Sequence, residues 1–225
     1  MLTDHQALVD CLSSDECLRA AVYLRDSDRQ DFIAGHLLLK VLAGRALCLP
    51  ARHVELFQQC PSCGGPHGRP SLPRQPRLQL ALAHSEGVVL AAVGWGLLGV
   101  DVERRTAPTS PQLLDRFLTV PEQRRVLGRE DAQEAAVRAW TRKEALLKAR
   151  GQSLEQIREV DLSHLPLGRS SGVRTFRDRA LKLTFTEWTD LALDASCCVV
   201  AGTDSSSRVR DFSSGSGRTT AYRQT

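Results

Sequence analysis

Apolar and polar residues follow two periods along the chain, and those periods lay out its elements. Over Ser27–Gly44 the positions Phe32, Ile33, Leu37, Val41 and Leu42 recur at helical spacing. Ser27 or Asp28 can cap that helix and Gly44 can stop it. A strand is expected at His53–Phe57, and the Pro- and Gly-rich stretch Cys60–Pro76 must be a loop. Leu78–Ala83 and Val88–Val93 are apolar and β-leaning, and the turn His84-Ser85-Glu86-Gly87 joins them into a hairpin. Leu97–Glu103 reads as another short strand, ended by the polar run Arg104–Pro111. Gln112–Leu118 and Pro121–Gly128 read as short helices. Glu130–Arg150, Ala-rich and closed by Gly151, is the strongest helix. Strands return at Gly172–Phe176, Leu181–Thr186 and Leu191–Ala201. From Thr203 onward there is almost nothing to bury, so a disordered tail is expected.

Composition narrows the class. A chain of 225 residues, 42% of them hydrophobic, can bury a real core as one large domain or two small ones. The net charge of +4 is uneven: Arg208, Arg210, Arg218 and Arg223 against Asp204 and Asp211 place half of it in the tail. The folded part therefore carries no dense basic patch, and a nucleic-acid partner is not expected. The first thirty residues are rich in Asp and Arg, unlike a secretory leader. Val88–Val100, the longest apolar stretch, is too short to span a membrane. Seven cysteines without a leader read as reduced thiols, so the expected location is cytoplasmic. Cys11, Cys17, Cys48, Cys197 and Cys198 sit among apolar neighbours and are expected as small buried hydrophobes.

Two constellations carry chemistry. In Gly99-Val100-Asp101-Val102-Glu103 the strand alternation sends Asp101 and Glu103 to one face and the valines to the other. Paired carboxylates repel unless something positive lies between them, and hard oxygen ligands suit Mg²⁺. A solvated face neutralised by Arg104 and Arg105 explains the pair as well. In Trp140-Thr141-Arg142-Lys143-Glu144-Ala145-Leu146-Leu147-Lys148, residues Trp140, Glu144 and Lys148 stack on one helix face. Glu144 and Lys148 also satisfy a plain surface ion pair, worth only ~0.3–0.5 kcal/mol. The Trp on the same stripe favours a partly buried face.

Together these motifs resemble the 4′-phosphopantetheinyl transferases, most of all the double-length type that activates polyketide and non-ribosomal peptide synthases. Gly68-Arg69-Pro70 stands where that family usually has Gly-Lys-Pro, and Ala83-His84-Ser85 where it has Ser-His-Ser or Thr-His-Ser. Lys148-Ala149-Arg150-Gly151 continues into the loop the family places after its long helix. The resemblance implies an α/β (α+β) fold. It would be a pseudo-dimer of two similar subdomains, 1–100 and 101–202, each a small, mostly antiparallel sheet with a long helix. The tail would be 203–225, and the active site would lie between the subdomains.

The resemblance also implies the site residues. Asp101, Glu103 and Glu144 would hold Mg²⁺, and Lys148 would face the phosphates, with Glu144 and Lys148 in the catalytic set. Arg69, Pro70, His84 and Ser85 would meet coenzyme A. Arg69 keeps the charge of the usual Lys as a planar fork, and Ala83 removes a hydroxyl. Arg29 and Lys40 are the candidates for the 3′-phosphate, with Asp31 where another Arg would be expected. Glu122 is the family's base candidate, although Thr119-Val120-Pro121-Glu122 also reads as a capping box. Apart from the resemblance, Arg124, Arg125, Arg138 and Arg142 read equally as a basic surface that attracts an acidic carrier protein or as an ordinary solvated helix face.

The reaction implied is attack by a serine of an apo acyl or peptidyl carrier protein on the β-phosphorus of coenzyme A. It would expel 3′,5′-ADP, with the enzyme acting as a monomer. The alternatives are a shorter housekeeping synthase with its site between subunits, and a catalytically silent partner of carrier proteins or nucleotides. Cys60, Cys63 and His67 look like half of a zinc knuckle. A structural zinc takes four protein ligands and no second Cys/His pair stands at suitable spacing, so zinc is not assigned. A zinc-linked nucleic-acid module resting on Cys60, Cys63 and the basic tail would show salt-sensitive binding.

Overall fold

A capping box starts the first helix, α1 (Ser14–Ala21): Glu16 N–H donates to Ser13 Oγ at 3.2 Å, and Ser13 N–H donates to Glu16 Oε2 at 2.7 Å. That helix escapes the periodicity reading because it is short and mostly exposed. In this computed structural model residues 10–60, 62–107, 110–168, 172–203, 209–213 and 219–224 are described. Helix α2 (Asp26–Leu47) runs past the expected stop at Gly44 and ends at Cys48, in the left-handed region at φ 56°. The strand expected at His53–Phe57 is a 3₁₀ turn, Ala51–His53, because Pro50 and Ala51 carbonyls capture the N–H groups of His53 and Val54. Only Phe57 pairs, in a bridge to Ser71.

Strands β1 (Leu78–Ser85) and β2 (Val88–Trp95) form the expected hairpin. Its turn is tighter than expected, since Glu86 and Gly87 both adopt positive φ, as a type I′ turn requires. His84 and Ser85 are therefore strand residues. Leu38, Leu39, Leu42 and Ala43 of α2 pack on Leu78, Leu80, Val89, Ala91 and Val93, and each fully buried leucine contributes ~1.5–3 kcal/mol. The chain's end completes this sheet, where a disordered tail was expected. β7 (Val209–Ser213) pairs antiparallel with β8 (Thr219–Gln224), and β8 lies parallel to β2, giving the order β1-β2-β8-β7. The free edge of β2 offers backbone donors and acceptors, and pairing with them needs little apolar side chain. The rest of 204–225 lies outside the described residues.

The second unit holds β3 (Leu98–Arg104), α3 (Pro111–Phe117), α4 (Val120–Leu127), α5 (Ala132–Arg150), β4 (Arg174–Asp178), β5 (Leu183–Asp190) and β6 (Ala195–Gly202). Its sheet is antiparallel throughout, in the order β3-β6-β5-β4, and α5 packs on β3 and β6. The core joins Ala145, Leu146 and Ala149 of α5 to Leu183, Phe185, Cys198 and Val200. β6 starts later than Leu191 because Asp190 Oδ1 accepts from Ala192 N–H and Leu193 N–H and folds that segment into a turn. The units divide between Gly96 and Leu97, with β7 and β8 joined to the first. A boundary at 100/101 would cut β3, which belongs whole to the second sheet. The fold is α+β, with one sheet and one long helix in each unit.

Two further expectations are corrected. Only Cys197 and Cys198 are buried; Cys11 is half-buried and Cys17 and Cys48 are exposed. Arg138 and Arg142 are buried and not part of a docking surface. Arg142 makes a forked pair with Glu187 and donates to the Pro166 carbonyl at 2.8 Å, while Arg138 pairs with Asp131 and Glu134. Partial burial would raise the Asp131 carboxyl, but hydrogen bonds from Arg129 and Arg138 outweigh it and bring its pKa down from 3.8 to about 2. A depressed folded pKa gives stability that is complete above 3.8 and lost as the pH falls toward about 2. Asp131→Asn should therefore cost ~1–2 kcal/mol at neutral pH and flatten the acid limb of a melting-temperature profile. An unaltered acid limb would refute this account.

Candidate active site

Helix α5 lies against β3 as close as backbones allow, and Gly99 is the reason. A Cβ on Gly99 would stand 2.2 Å from the Ala145 carbonyl oxygen and 2.4 Å from the Ala149 nitrogen. Two residues on, the same strand face presents Asp101, and two further on, Glu103. The facing stripe of α5 presents Lys148, Glu144 and Trp140 in turn. A two-residue strand step advances roughly 6.6 Å and a four-residue helix step roughly 6 Å, so the two rows stay in step. Asp101 thus meets Lys148 and Glu144, and Glu103 meets Trp140.

Lys148 Nζ donates to Asp101 Oδ1 at 2.5 Å and lies 2.9 Å from Glu144 Oε2. Trp140 Nε1 donates to Glu103 Oε1 at 3.1 Å. The indole is held edge-on to Phe117, with ring centroids 5.0 Å apart at 87°. Asp101, Glu103 and Glu144 each offer a carboxylate oxygen within 4.8 Å of the others. Asp101 is 2% exposed, and its Oδ2 is buried with no hydrogen-bond partner. Burial pushes the Asp101 carboxyl well above its usual range; Lys148 opposes the shift and Glu144 adds to it. Burial works to lower the Lys148 ammonium, but Asp101 and Glu144 outweigh it and raise its pKa. An acidic trio with an unanswered buried oxygen fits a hard divalent cation better than a solvated face.

Lys143, also within the helix motif, has a different employment. It is fully buried, donates to the Phe117 carbonyl at 2.5 Å and pairs with Glu122 at 2.7 Å. Burial lowers its pKa against the pull of Glu122. Glu122 also accepts from Thr119 N–H at 2.8 Å and Leu162 N–H at 2.9 Å. Both its oxygens are thus engaged in joining α4, α5 and the Leu162 segment, which disfavours the base role. The capping box within that group was legible; the buried lysine was not, because Lys143 reads as one of many helix cations.

The residues expected to meet coenzyme A lie in the first unit. Arg69 Nε donates to the Leu80 carbonyl at 3.3 Å, and burial lowers its pKa. Pro70 is buried. His84 Nδ1 lies 3.8 Å from Asp31 Oδ2, the oxygen that also accepts Gly87 N–H at 3.1 Å. Asp31, in the place expected for an arginine, thus ties α2 to the hairpin turn. Lys40 is no surface phosphate ligand: it is 2% exposed, pairs with Glu16 at 3.0 Å and donates to the Val54 carbonyl at 2.8 Å. Arg29 is exposed beside Asp26, and Ser85 closes β1 opposite Val88.

Comparison with known proteins points the same way. Residues 97–200, which contain the acidic trio, match the family model described as the 4′-phosphopantetheinyl transferase superfamily. The 4′-phosphopantetheinyl transferase HetI of Nostoc sp. is 31% identical over 169 residues, covering 72% of this chain and 68% of that protein. The protein slr0495 of Synechocystis sp., provisionally named for the same activity, is 32% identical over 161 residues, covering 68% of this chain and 61% of its own length.

Proposed function

Because the chain belongs to the 4′-phosphopantetheinyl transferase superfamily, we propose that it moves the 4′-phosphopantetheine arm of coenzyme A onto a serine of an apo acyl or peptidyl carrier protein, with Mg²⁺ and as a cytoplasmic monomer. The observation that carries this reading is the convergence of Asp101, Glu103 and Glu144 with the orphaned Asp101 Oδ2. These three would hold the ion, which when bound draws off negative charge building on the pyrophosphate. Lys148, touching two of the three, keeps their mutual repulsion in check and places a second positive charge at the same spot. Trp140 fixes the direction of Glu103. Hydrogen bonding and burial therefore set the carboxylate positions before substrate arrives, and most of the rate comes from positioning and electrostatics. In the first unit, Arg69, His84, Ser85 and Arg29 are the groups we assign to coenzyme A.

Incubating the purified chain with Mg²⁺, coenzyme A and an apo carrier protein should add one phosphopantetheine mass to the carrier, as read by mass spectrometry. EDTA should stop the addition. Glu122→Gln should lower the melting temperature without removing a limb from the pH–rate profile. No mass gain with any of several carrier proteins would sink the assignment, and a lost limb would restore Glu122 as a base.

A further inference from the structure

The loop that precedes Arg69 gathers chemistry that phosphopantetheine transfer does not use. Cys60, Cys63 and His67 each bring a ligand atom within 4.8 Å of the others, and Cys63 Sγ lies 3.0 Å from His67 Nε2. Around a tetrahedral Zn²⁺, thiolate and imidazole donors stand roughly 3.5–3.8 Å from one another, so little movement is needed to close the set. The backbone is folded for it. Gly64 N–H donates to the Cys60 carbonyl at 2.8 Å, and Cys60 N–H donates to the Gly65 carbonyl at 2.9 Å. Gly64 holds a positive φ of 71°, which lets the chain turn back just after Cys63, on the way to His67. Gly65 N–H points at Cys63 Sγ, 3.4 Å away, as a donor suited to a thiolate.

Gly65 has a second reason to lack a side chain. A Cβ there would stand 3.1 Å from His67 Cδ2 and 3.3 Å from both Cys63 Sγ and His67 Nε2. Any larger residue would press on the pair that must converge. Packing does not explain the cluster, since Cys63 and His67 are exposed and Cys60 only half-buried. The loop around them has almost no apolar burial of its own.

We propose that Cys60, Cys63 and His67 form a Zn²⁺ site with three protein ligands and a fourth position open to water. Two thiolates and an imidazole select a borderline-soft ion over Mg²⁺. The missing fourth protein ligand, which argues against a closed structural knuckle in the sequence, does not argue against an open three-ligand site. Bound zinc cross-links a loop that burial cannot hold. It fixes the chain immediately before Gly68, whose φ of 95° and carbonyl, bonded by Gln58 Nε2 at 2.7 Å, set where Arg69 departs. The assignment stands whether or not Arg69 meets a phosphate.

The test is metal content of the full chain, purified without chelator and then titrated with Zn²⁺ after reduction. About one zinc per chain is expected. Cobalt substitution should give a thiolate charge-transfer band and the intense visible bands of a tetrahedral site. Cys63→Ser should weaken zinc binding by more than the roughly 10–100-fold that outer-shell changes cost. His67→Cys should retain the metal, and Asp101→Asn, which alters only the acidic trio, should keep a full zinc complement. The proposal is overturned if the reduced wild-type chain takes up neither zinc nor cobalt, if Cys63→Ser binds zinc as tightly as wild type, or if zinc leaves with Asp101→Asn.

Discussion

Asp101→Asn and Glu144→Gln should each lower carrier-protein modification by about 10²–10³-fold or more while leaving the melting temperature unchanged or slightly raised. The two readouts move apart because the acidic trio stores electrostatic cost in the resting protein. Asp101 is almost wholly buried, one of its oxygens is unanswered, and a second carboxylate stands beside it. An amide of the same shape removes that repulsion. The partner it deprives, Lys148, keeps 41% of its side chain in solvent and so loses little. On the proposed reading, activity should suffer because a divalent ion held by the trio then meets one negative charge fewer. Initial rates by mass spectrometry, set beside thermal unfolding by circular dichroism, separate the two effects. Near-wild-type rates in either variant, or unfolding in both, would remove the basis for placing the ion here.

Gly99→Ala should cost at least about 3 kcal/mol, at the upper end of what overpacking does, and lower the melting temperature by roughly 6–12 °C. The added methyl would meet the Ala145 carbonyl oxygen and the Ala149 nitrogen and Cα, which belong to helix backbone and cannot rotate aside. Helix α5 must then lift from β3 and carry Glu144 and Lys148 away from Asp101. Magnesium-dependent transfer should fall together with stability, unlike the carboxylate variants. A melting temperature within about a degree of wild type would mean that α5 adapts and that the close approach is not required.

Much of the second unit was legible because its signals are local and repeated. Strand alternation places Asp101 and Glu103 together, helical spacing places Trp140, Glu144 and Lys148 together, and Gly151 closes the helix. Their meeting was supplied by family resemblance, since no periodicity tells which strand a helix covers. The single hint was Gly99, one residue without a side chain on the face that carries both acids. Lys40 and Arg142 were misread for the opposite reason. A cation in a sequence looks exposed until the chain folds a carboxylate against it, as Glu16 and Glu187 do from distant segments. The two terminal strands were missed because β2 offers a ready backbone edge, and edges leave no mark in composition.

The in-step rows of β3 and α5 also say where this protein can tolerate changes of length. Inserting one residue in β3 ahead of Asp101 would turn both acids to the opposite face relative to the start of the strand. Inserting one in α5 ahead of Trp140 would swing Glu144 and Lys148 about 100° around the axis relative to the turns before it. Either change separates the two motifs for good. Extra residues between β3 and α3, ahead of Pro111, leave both rows in phase, so insertions and deletions among relatives should be tolerated there. By contrast α3 and α4, whose Phe117 and Glu122 are tied to α5, and the two motifs should hold their length.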